Sequence, residues 1–346
     1  MARRPTQGEV ARVAGTSTAV VSYVLNNGPR PVSAETRRKV LAAIEETGYR
    51  PNNLARALAF GQSSVVGLVV PDLANPFLAQ LVRCLEREFH LRGYSLLIGD
   101  SEDSADTEVG VLETLMSQQV AALLWYGVEQ PLPLDIVESS HSPVVLLNMP
   151  PNSDDLTGHD HLIAVDTDER QHARMATEHL LDHGRTRIAH LGGPTGRLNA
   201  RERARGWSEA LREAGVPAER HLTAPFTRGG GFGAAGDLVE MGSDAVVVSN
   251  EMQAVGLLAA LAARGVHVPD DIAVVALNGT PAARYTVPSL TAVHLSMAKL
   301  SRDVADALSP GAEARAIRTE AELVRRASCG CEEQEQEQDQ ESWEQL

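Results

Sequence analysis

The sequence predicts a small all-α unit at the N-terminus, followed by an α/β body built from two doubly wound parallel-sheet lobes. Short helical patterns with capping signals fill the first 50 residues. From Val65 onward, apolar runs typical of strands alternate with helical runs, which favours parallel sheets covered by helices on both faces. Of the 346 residues, 43% are hydrophobic, which is enough for about two or three domains with cores of their own.

Charge is unevenly distributed along the chain. The net charge is −15, yet residues 1–60 contain eight arginines and one lysine against four glutamates. A basic segment on an acidic body favours contact between that segment and a polyanion. No leading apolar stretch and no run of about 18 apolar residues occurs, so we expect a cytoplasmic protein without a membrane partner.

Three short helices are expected in the N-terminal unit, each with its own capping signal. Thr6 and Glu9 have the spacing of a capping box for the first helix. Ser17 is a good N-cap for the second helix, after a turn at Gly15, and Ser33 is a good N-cap for the third. Three short helices with a glycine turn between the first two fit a helix-turn-helix module. The alternative is a generic three-helix bundle whose Thr and Ser residues are solvated caps.

In a helix-turn-helix module, the N-terminal end of the second helix meets base edges in the major groove. Small side chains let this helix approach the groove floor, and hydroxyl groups bond to bases or phosphates, while alanine contacts a thymine methyl group. The candidate DNA-contacting residues of this unit are Thr6, Ser17, Thr18, Ala19, Ser22, Tyr23 and Asn26.

Three segments of this region carry a family resemblance. "EVARVAGTSTAVVSYVLN", "VSAETRRKVLAAIEETGYRPN" and "NLARALA" closely resemble the DNA-binding headpiece of the lactose-repressor (LacI/GalR) family of bacterial transcription regulators, and the resemblance continues to about residue 328. It implies a helix-turn-helix headpiece at residues 1–50 and a hinge helix at residues 51–62 that forms only on operator DNA. Leu58 takes the place of the leucine that wedges into the minor groove. The hinge contacts implied are Asn52, Ala55, Arg56 and Leu58, while Phe60 stands where many relatives have a basic residue.

Two sets of alternating strands and helices follow one another in the body. They imply two similar lobes, with a ligand bound between them at the carboxyl ends of the strands. The resemblance implies that these lobes are periplasmic-binding-protein-like, with three chain crossovers. We assign residues 63–163 and 292–312 to lobe 1 and residues 164–291 and 313–328 to lobe 2. Residues 329–346 are expected to form an acidic, Glu/Gln-rich disordered tail.

Polar and aromatic residues that follow strands are the candidates for a ligand-binding cleft. This combination suits a carbohydrate, because hydroxyl groups need polar partners while the C–H faces lie on rings. The resemblance places Arg203 at the arginine that grips sugar hydroxyls in relatives. Asn148 and Asn278 stand where relatives usually have Asp, so the identity of the sugar or sugar derivative stays open. The candidates are Asp72, Asn75, Phe77, Asp100, Trp125, Tyr126, Asn148, Arg203, Trp207, Asn250, Glu251 and Asn278.

Other motifs point to different chemistry and were weighed against this interpretation. Residues 231–236 satisfy the dinucleotide-binding pattern G-x-G-x-x-G, but the segment before them is a weak strand broken by proline. Cys329 and Cys331 form a C-x-C pair without further ligands nearby in the sequence, and the His159–His161 segment lies in a polar loop, so no metal site is expected. No motif supports catalysis, so neither an enzyme activity nor a cofactor is expected.

The combined interpretation is a sequence-specific DNA-binding transcription regulator, a repressor, controlled by a small molecule in the cleft. Two headpieces of a homodimer, with a tetramer left open, are expected to bind a pseudo-palindromic operator DNA in the nucleoid. Two other classes share part of the pattern. A solute-binding protein would have the two lobes but would lack the headpiece, and a nucleotide-binding enzyme would need the glycine loop.

Overall fold

The computed structural model describes residues 5–26, 31–49, 63–128, 132–138, 142–150, 162–309, 311–312 and 316–332. The chain divides into two compact units, residues 1–64 and 65–346, which are described separately. Several predicted features lie outside the described residues: Asn52, Ala55, Arg56, Leu58, Phe60 and the His159–His161 segment, together with the side chain of Asn26.

The N-terminal unit consists of three helices around a small apolar core. These helices are α1 (Gln7–Val13), α2 (Thr18–Asn26) and α3 (Ala34–Thr47). The predicted capping box is confirmed, because the Thr6 amide donates to Glu9 Oε2 at 3.0 Å and the Glu9 amide donates to Thr6 Oγ1 at 3.3 Å. The core comprises Val10, Ala11, Val21, Val24, Val40 and Ala43. Two buried valines of α2 therefore hold one side of this helix against its neighbours.

The body contains two six-stranded sheets, one in each lobe. The strands are β1 (Val65–Val70), β2 (Ser95–Asp100), β3 (Ala122–Tyr126), β4 (Val144–Leu147), β5 (Leu162–Asp166), β6 (Ile188–Gly192), β7 (His221–Thr223), β8 (Ala245–Val248), β9 (Ala273–Ala276), β10 (Thr291–Leu295), β11 (Ala316–Arg318) and β12 (Ala321–Val324). The strand order is β11-β5-β4-β3-β1-β2 in lobe 1 and β12-β10-β9-β8-β6-β7 in lobe 2. Neighbouring strands run parallel except for β10 and β12.

Helices cover both faces of each sheet, as the alternating pattern predicts. They are α4 (Pro76–Leu91), α5 (Ala105–Ser117), α6 (Asp135–Glu138), α7 (Glu169–Asp182), α8 (Leu198–Glu213), α9 (Arg228–Glu240), α10 (Glu251–Ala263) and α11 (Met297–Ala307). In lobe 1, α4 and α11 share one apolar cluster and α5 packs into the other. In lobe 2, α9 and α10 cover one face and α7 and α8 cover the opposite face. Across the described part of the chain, no helix has the length and apolarity that crossing a bilayer requires.

The chain changes lobes near its C-terminus at positions that differ from the prediction. Residues 292–295, assigned to lobe 1, belong to β10 in the sheet of lobe 2, while β11, assigned to lobe 2, pairs with β5 in lobe 1. The predicted start of the tail is also wrong, because Cys329 is 1% exposed in the core of lobe 2 and ends a 3-10 helix over Ala327–Cys329. Strands of three to five residues carry too little periodicity to reveal which sheet they join.

The G-x-G-x-x-G pattern lies inside α9 and not at a strand-to-helix turn. A Cβ atom on Gly231 would lie 1.9 Å from the carbonyl oxygen of Gln253 in α10, and one on Gly256 would lie 1.9 Å from that of Arg228. Around Gly233, nothing lies within 4 Å of such an atom. Close packing of two helices therefore explains Gly231, and the dinucleotide interpretation lacks the turn that it needs.

Replacing Gly231 tests this packing explanation. Gly231→Ala is expected to lower the free energy of unfolding by about 1–3 kcal/mol, because the added methyl group must displace α10. The matched change Gly233→Ala, in the same helix, should raise it by up to about 1 kcal/mol through better helix propensity. Chemical denaturation followed by circular dichroism measures both changes. Equal stability of the two variants would contradict the explanation.

Candidate functional site

A cavity of about 140 Å³ lies between the two lobes, among the loops that follow the strands. Both lobes contribute to it, as expected for a ligand site at the carboxyl ends of parallel strands. Eight of the predicted residues line it: Asp72, Asn75, Phe77, Tyr126, Arg203, Asn250, Glu251 and Asn278.

Arg203 on α8 is the buried cation of this cavity. Its side chain is 1% exposed and forms an ion pair with Glu169, which is 5% exposed, through Nε and Oε2 at 2.7 Å. Nη1 donates to the carbonyl oxygen of Ser249 at 2.6 Å. Nη2 is buried and has no hydrogen-bond partner among the described residues. Because an unpaired buried donor is costly, this nitrogen is suited to an oxygen atom of a ligand.

The ion pair also sets the charge state of Glu169. Burial by itself would raise the pKa of this carboxyl group, but the charge and the hydrogen bond of Arg203 outweigh burial and hold the pKa below its ordinary value. Glu169 therefore stays ionised and keeps the guanidinium group in one orientation.

The other polar residues around the cavity divide into ligand candidates and structural groups. Asn75 and Asn250 are N-caps, because their Oδ1 atoms accept from the amides of Phe77 (3.0 Å) and Gln253 (2.7 Å). Glu251 accepts hydrogen bonds from the amide and the hydroxyl of Thr280, and burial raises its pKa.

Asp72 and Asn278 are the two remaining predicted polar residues of the cavity. The Oδ1 atom of Asp72 accepts from the amide of Ala74 at 2.7 Å. Asn278 is 9% exposed and has a left-handed backbone with φ of 54°. A carboxylate has a second oxygen and an amide has both a donor and an acceptor, so these two side chains complement the donor of Arg203.

Aromatic rings form the apolar walls of the cavity. Phe77 and Tyr126 come from lobe 1, and Phe226 comes from lobe 2. The Arg203 guanidinium carbon lies 5.7 Å from the centre of the Phe226 ring. Burial raises the pKa of Tyr126 to about 12, with the charge of Glu169 as the next cause. The phenol therefore stays protonated and can donate a hydrogen bond.

Four residues predicted for the cleft do not line this cavity: Asp100, Trp125, Asn148 and Trp207. Trp125 is fully buried and donates from Nε1 to Glu108 Oε1 at 3.0 Å. Successive strand residues face opposite sides of the sheet, so Tyr126 faces the cavity and Trp125 faces away from it. Trp207 is 3% exposed and stacks on His190 in the lobe 2 core, with ring centroids 5.6 Å apart.

The two remaining predicted residues hold loops together. Asn148 accepts a hydrogen bond from Thr167 Oγ1 at 2.6 Å on its Oδ1 atom. Asp100 accepts from the backbone amides of Leu73 (3.1 Å) and Glu102 (2.9 Å). Both residues thus support the loops near the cavity without lining it.

The residues that line the cavity but were not predicted include Asp103, Arg197, Asn199 and Phe226. Arg197 of lobe 2 forms an ion pair with Asp103 of lobe 1, and Asn199 of lobe 2 hydrogen-bonds to Tyr126 of lobe 1. Two polar contacts thus connect the lobes directly beside the cavity. The sequence offered one signal for two of these residues: Arg197 and Asn199 lie at the start of the helix that carries Arg203.

In the N-terminal unit, the start of α2 presents a polar surface. Ser17, Thr18 and Ala19 are exposed, and Ser22 and Tyr23 are half-buried. Ser17 Oγ accepts from the amide of Val20 at 3.3 Å, so it also caps the helix. The Thr6 hydroxyl belongs to the capping box. The exposed residues have the position that a helix-turn-helix module uses for base contacts.

Comparison with known proteins decides the family. A family model for "Bacterial regulatory proteins, lacI family" matches residues 6–52, and a model for a "Periplasmic binding protein-like domain" matches residues 177–329. The Ribose operon repressor of Escherichia coli (strain K12) is 35% identical over 311 residues, which is 88% of this chain and 92% of the relative. The chain belongs to the LacI family.

Two solved structures extend the similarity to the LacI-family architecture. The crystal structure of the Lac repressor dimer bound to operator and the anti-inducer ONPF matches with a TM-score of 0.83 and 25% identity, over 94% of this chain and 99% of that chain. The complex of the transcriptional regulator CelR with cellobiose matches with a TM-score of 0.69 and 28% identity, over 94% and 100% of the two chains. This LacI-family protein is therefore a DNA-binding transcription regulator with a periplasmic-binding-protein-like effector domain.

The contribution of the Arg203–Glu169 ion pair can be tested by measuring the stability of the protein. Arg203→Met is expected to lower the free energy of unfolding by about 3–5 kcal/mol, because Glu169 is left charged and buried. The double change Glu169→Gln with Arg203→Met should recover a large part of this loss. Arg205→Met, on the same helix but with a side chain 62% exposed, should cost less than about 0.5 kcal/mol. Urea denaturation measures these variants and Glu169→Gln alone; additive effects of Arg203→Met and Glu169→Gln in the double variant would contradict the pairing.

Proposed function

We propose that this LacI-family protein is a repressor that binds a pseudo-palindromic operator as a homodimer, and that a monosaccharide or monosaccharide derivative in the cleft controls its affinity for DNA. It would act in the cytoplasm, on DNA of the nucleoid. The proposal of a monosaccharide effector rests on one observation: Nη2 of Arg203 is buried and unpaired in a cavity with aromatic walls.

The chemistry of the cavity supports a polyhydroxy ligand. The Arg203 guanidinium group is held by Glu169 and Ser249, so its free N–H groups point in a fixed direction before any ligand arrives. Preorganised donors of this kind bind oxygen atoms at low cost in side-chain entropy. Phe77 and Phe226 offer faces against which the C–H groups of a sugar ring can pack.

The size of the cavity supports a single sugar ring. In another protein a cavity of roughly 150 Å³ holds one benzene molecule, and the cavity here measures about 140 Å³. A compact ring therefore fits without large rearrangement, whereas a disaccharide needs the lobes to separate further. The name of the ribose operon repressor, a relative at 35% identity, makes pentoses the first class of compound to test.

The contacts between the lobes provide a means of control. The Asp103–Arg197 ion pair and the Tyr126–Asn199 hydrogen bond connect lobe 1 to lobe 2 at the edge of the cavity. A ligand that touches both lobes shifts their equilibrium only by the difference between its affinities for the two arrangements. We infer that the effector changes the relation of the lobes and thereby the fraction of dimers able to bind operator.

DNA binding is assigned to the N-terminal unit and the segment after it. Ser17, Thr18 and Ala19 would contact base edges, with Ser22, Tyr23, Asn26 and Thr6 nearby. Asn52, Ala55, Arg56 and Leu58 would form the hinge helix on DNA, with Leu58 as the minor-groove wedge. The exposure of the start of α2 supports the first assignment.

A charge placed at the start of α2 tests the groove contact. Ala19→Glu is expected to weaken operator binding more than about 10-fold, because a carboxylate would face base edges and phosphates at close range. Ala42→Glu makes the same charge change at an exposed position of α3 and should have a much smaller effect. Fluorescence anisotropy with DNA from upstream of its own gene, at two salt concentrations, measures both. Equal weakening by the two changes would overturn the assignment of α2 to the groove.

The effector is tested on the complex of protein and operator DNA. D-ribose, D-glucose, cellobiose, ribose 5-phosphate and adenine are added in turn, and the DNA affinity is measured. We expect a monosaccharide or its phosphate to change the affinity. Arg203→Lys keeps a positive charge beside Glu169 but loses the planar fork, so the effector concentration needed should rise more than about 10-fold with basal operator binding retained. Arg205→Lys is the matched control. A response to adenine alone, or an unchanged response in Arg203→Lys, would contradict the proposal.

A further inference from the structure

Two histidines and two cysteines meet at the C-terminal end of α7, away from the residues that line the cleft cavity. His179 lies in the last turn of α7, His183 is its C-cap, and Cys329 and Cys331 belong to the C-terminal segment. We call these four residues the Cys–His cluster. One ligand atom from each lies within 4.8 Å of the other three. The two histidines lie about 150 positions before the C-x-C pair, so spacing in the sequence does not reveal them as possible further ligands.

The distances within the cluster match those of a tetrahedral metal site. Cys329 Sγ lies 3.2 Å from His179 Nε2. Cys331 Sγ lies 3.8 Å from the same nitrogen and 3.3 Å from His183 Nε2. A tetrahedral zinc ion with Zn–S of about 2.3 Å and Zn–N of about 2.0–2.1 Å separates its ligand atoms by about 3.3–3.8 Å. These three distances are close to that spacing, and the other pairs of ligand atoms lie within 4.8 Å of each other.

The local backbone explains why these four side chains converge. His179 and His183 are four residues apart, so they lie on one face at the end of the helix, and their ring centroids are 4.6 Å apart. Gly330, between the cysteines, has φ of 94°, a left-handed conformation that residues with a Cβ rarely adopt. This turn brings the two thiols to the same side of the chain.

The surroundings of the cluster fit a structural site with access from solvent. Cys329 is buried, and the Thr291 hydroxyl donates a hydrogen bond to its sulfur at 3.0 Å. Such a hydrogen bond orients a metal-binding side chain. His183 is exposed and Cys331 is half-buried, so an ion can reach the open side. The apolar cluster of lobe 2 includes Cys329 and packs against Cys331.

We propose that the Cys–His cluster binds one Zn²⁺ per chain, with His179, His183, Cys329 and Cys331 as its four ligands. Thiolate and imidazole ligands select a borderline-soft ion and disfavour Mg²⁺ and Ca²⁺, which prefer oxygen. All four positions are supplied by the protein, which is the arrangement of structural sites. The ion attaches the segment after β12 to α7, the helix whose first residue, Glu169, holds Arg203.

Cobalt substitution tests the site in the full-length protein. Protein purified under reducing conditions is stripped with a chelator and titrated with Co²⁺. We expect one Co²⁺ per chain, with thiolate-to-cobalt charge-transfer absorption and the intense visible bands of tetrahedral coordination, and we expect Zn²⁺ to abolish this spectrum. Zn²⁺ should also raise the melting temperature of the stripped protein.

Variants at the accessible side of the cluster keep the test independent of folding. Cys331→Ser and His183→Ala should each weaken metal binding more than about 100-fold and remove the effect of Zn²⁺ on the melting temperature, while circular dichroism shows a folded protein. His267→Ala, at an exposed histidine of lobe 2, and Cys84→Ala in lobe 1 are the controls and should bind as the parent does. The absence of stoichiometric tetrahedral cobalt, equal binding by Cys331→Ser and His183→Ala, or a Cys329–Cys331 disulfide in the reduced preparation would overturn the proposal.

Discussion

The buried ion pair between Arg203 and Glu169 is the interaction on which the cleft depends. Two charges that are 1% and 5% exposed would each cost several kcal/mol without a partner. Glu169 begins α7 directly after the chain leaves β5 of lobe 1, and Arg203 lies in α8 and bonds to the backbone after β8. The pair therefore ties the first crossover between the lobes to two other elements of lobe 2. One guanidinium nitrogen, Nη2, has no hydrogen-bond partner among the described residues.

The helix α7 connects this ion pair, at its N-terminal end, with the Cys–His cluster at its C-terminal end. Its N-terminal residue Glu169 holds the guanidinium group of the cleft, and its C-terminal histidines meet the thiols of the chain end. The end of α7 and the C-terminal segment both pack in lobe 2, so attaching that segment to α7 stabilises the packing of the helix that carries Glu169.

Features that local rules decide could be predicted from the sequence, whereas the orientation of side chains in a sheet buried on both faces could not. The capping box at Thr6 and the alternation of strands and helices follow from short-range patterns, so they could be predicted. Trp125 and Tyr126 stand side by side in an apolar strand that is buried throughout. Such a strand shows no alternation of polar and apolar residues, and nothing in the sequence indicates which of the two faces the cavity. The Cys–His cluster joins residues about 150 positions apart, and only the packing of the chain end on α7 brings them together.

Asn148 and Asn278, which follow β4 and β9, share an unusual backbone conformation. Asn148 and Asn278 both have positive φ, of 61° and 54°, in the left-handed region where asparagine is among the few side chains enriched. At Asn148 the side chain has a second consequence. The Thr167 hydroxyl lies 2.6 Å from Asn148 Oδ1 and 3.0 Å from Glu169 Oε1, and it has one proton for two acceptors.

An amide resolves this conflict in a way that a carboxylate cannot. If the Asn148 amide rotates by half a turn, its NH₂ group donates to Thr167, and the threonine proton is then free for Glu169. Both rotamers satisfy Asn148, but only the second gives Glu169 an additional hydrogen bond. An aspartate would instead place a second negative charge beside the Glu169 carboxylate, which would weaken the pairing with Arg203. In that second orientation, Asn148 of lobe 1 strengthens the hydrogen bonding of the Glu169 carboxylate that pairs with Arg203 in lobe 2.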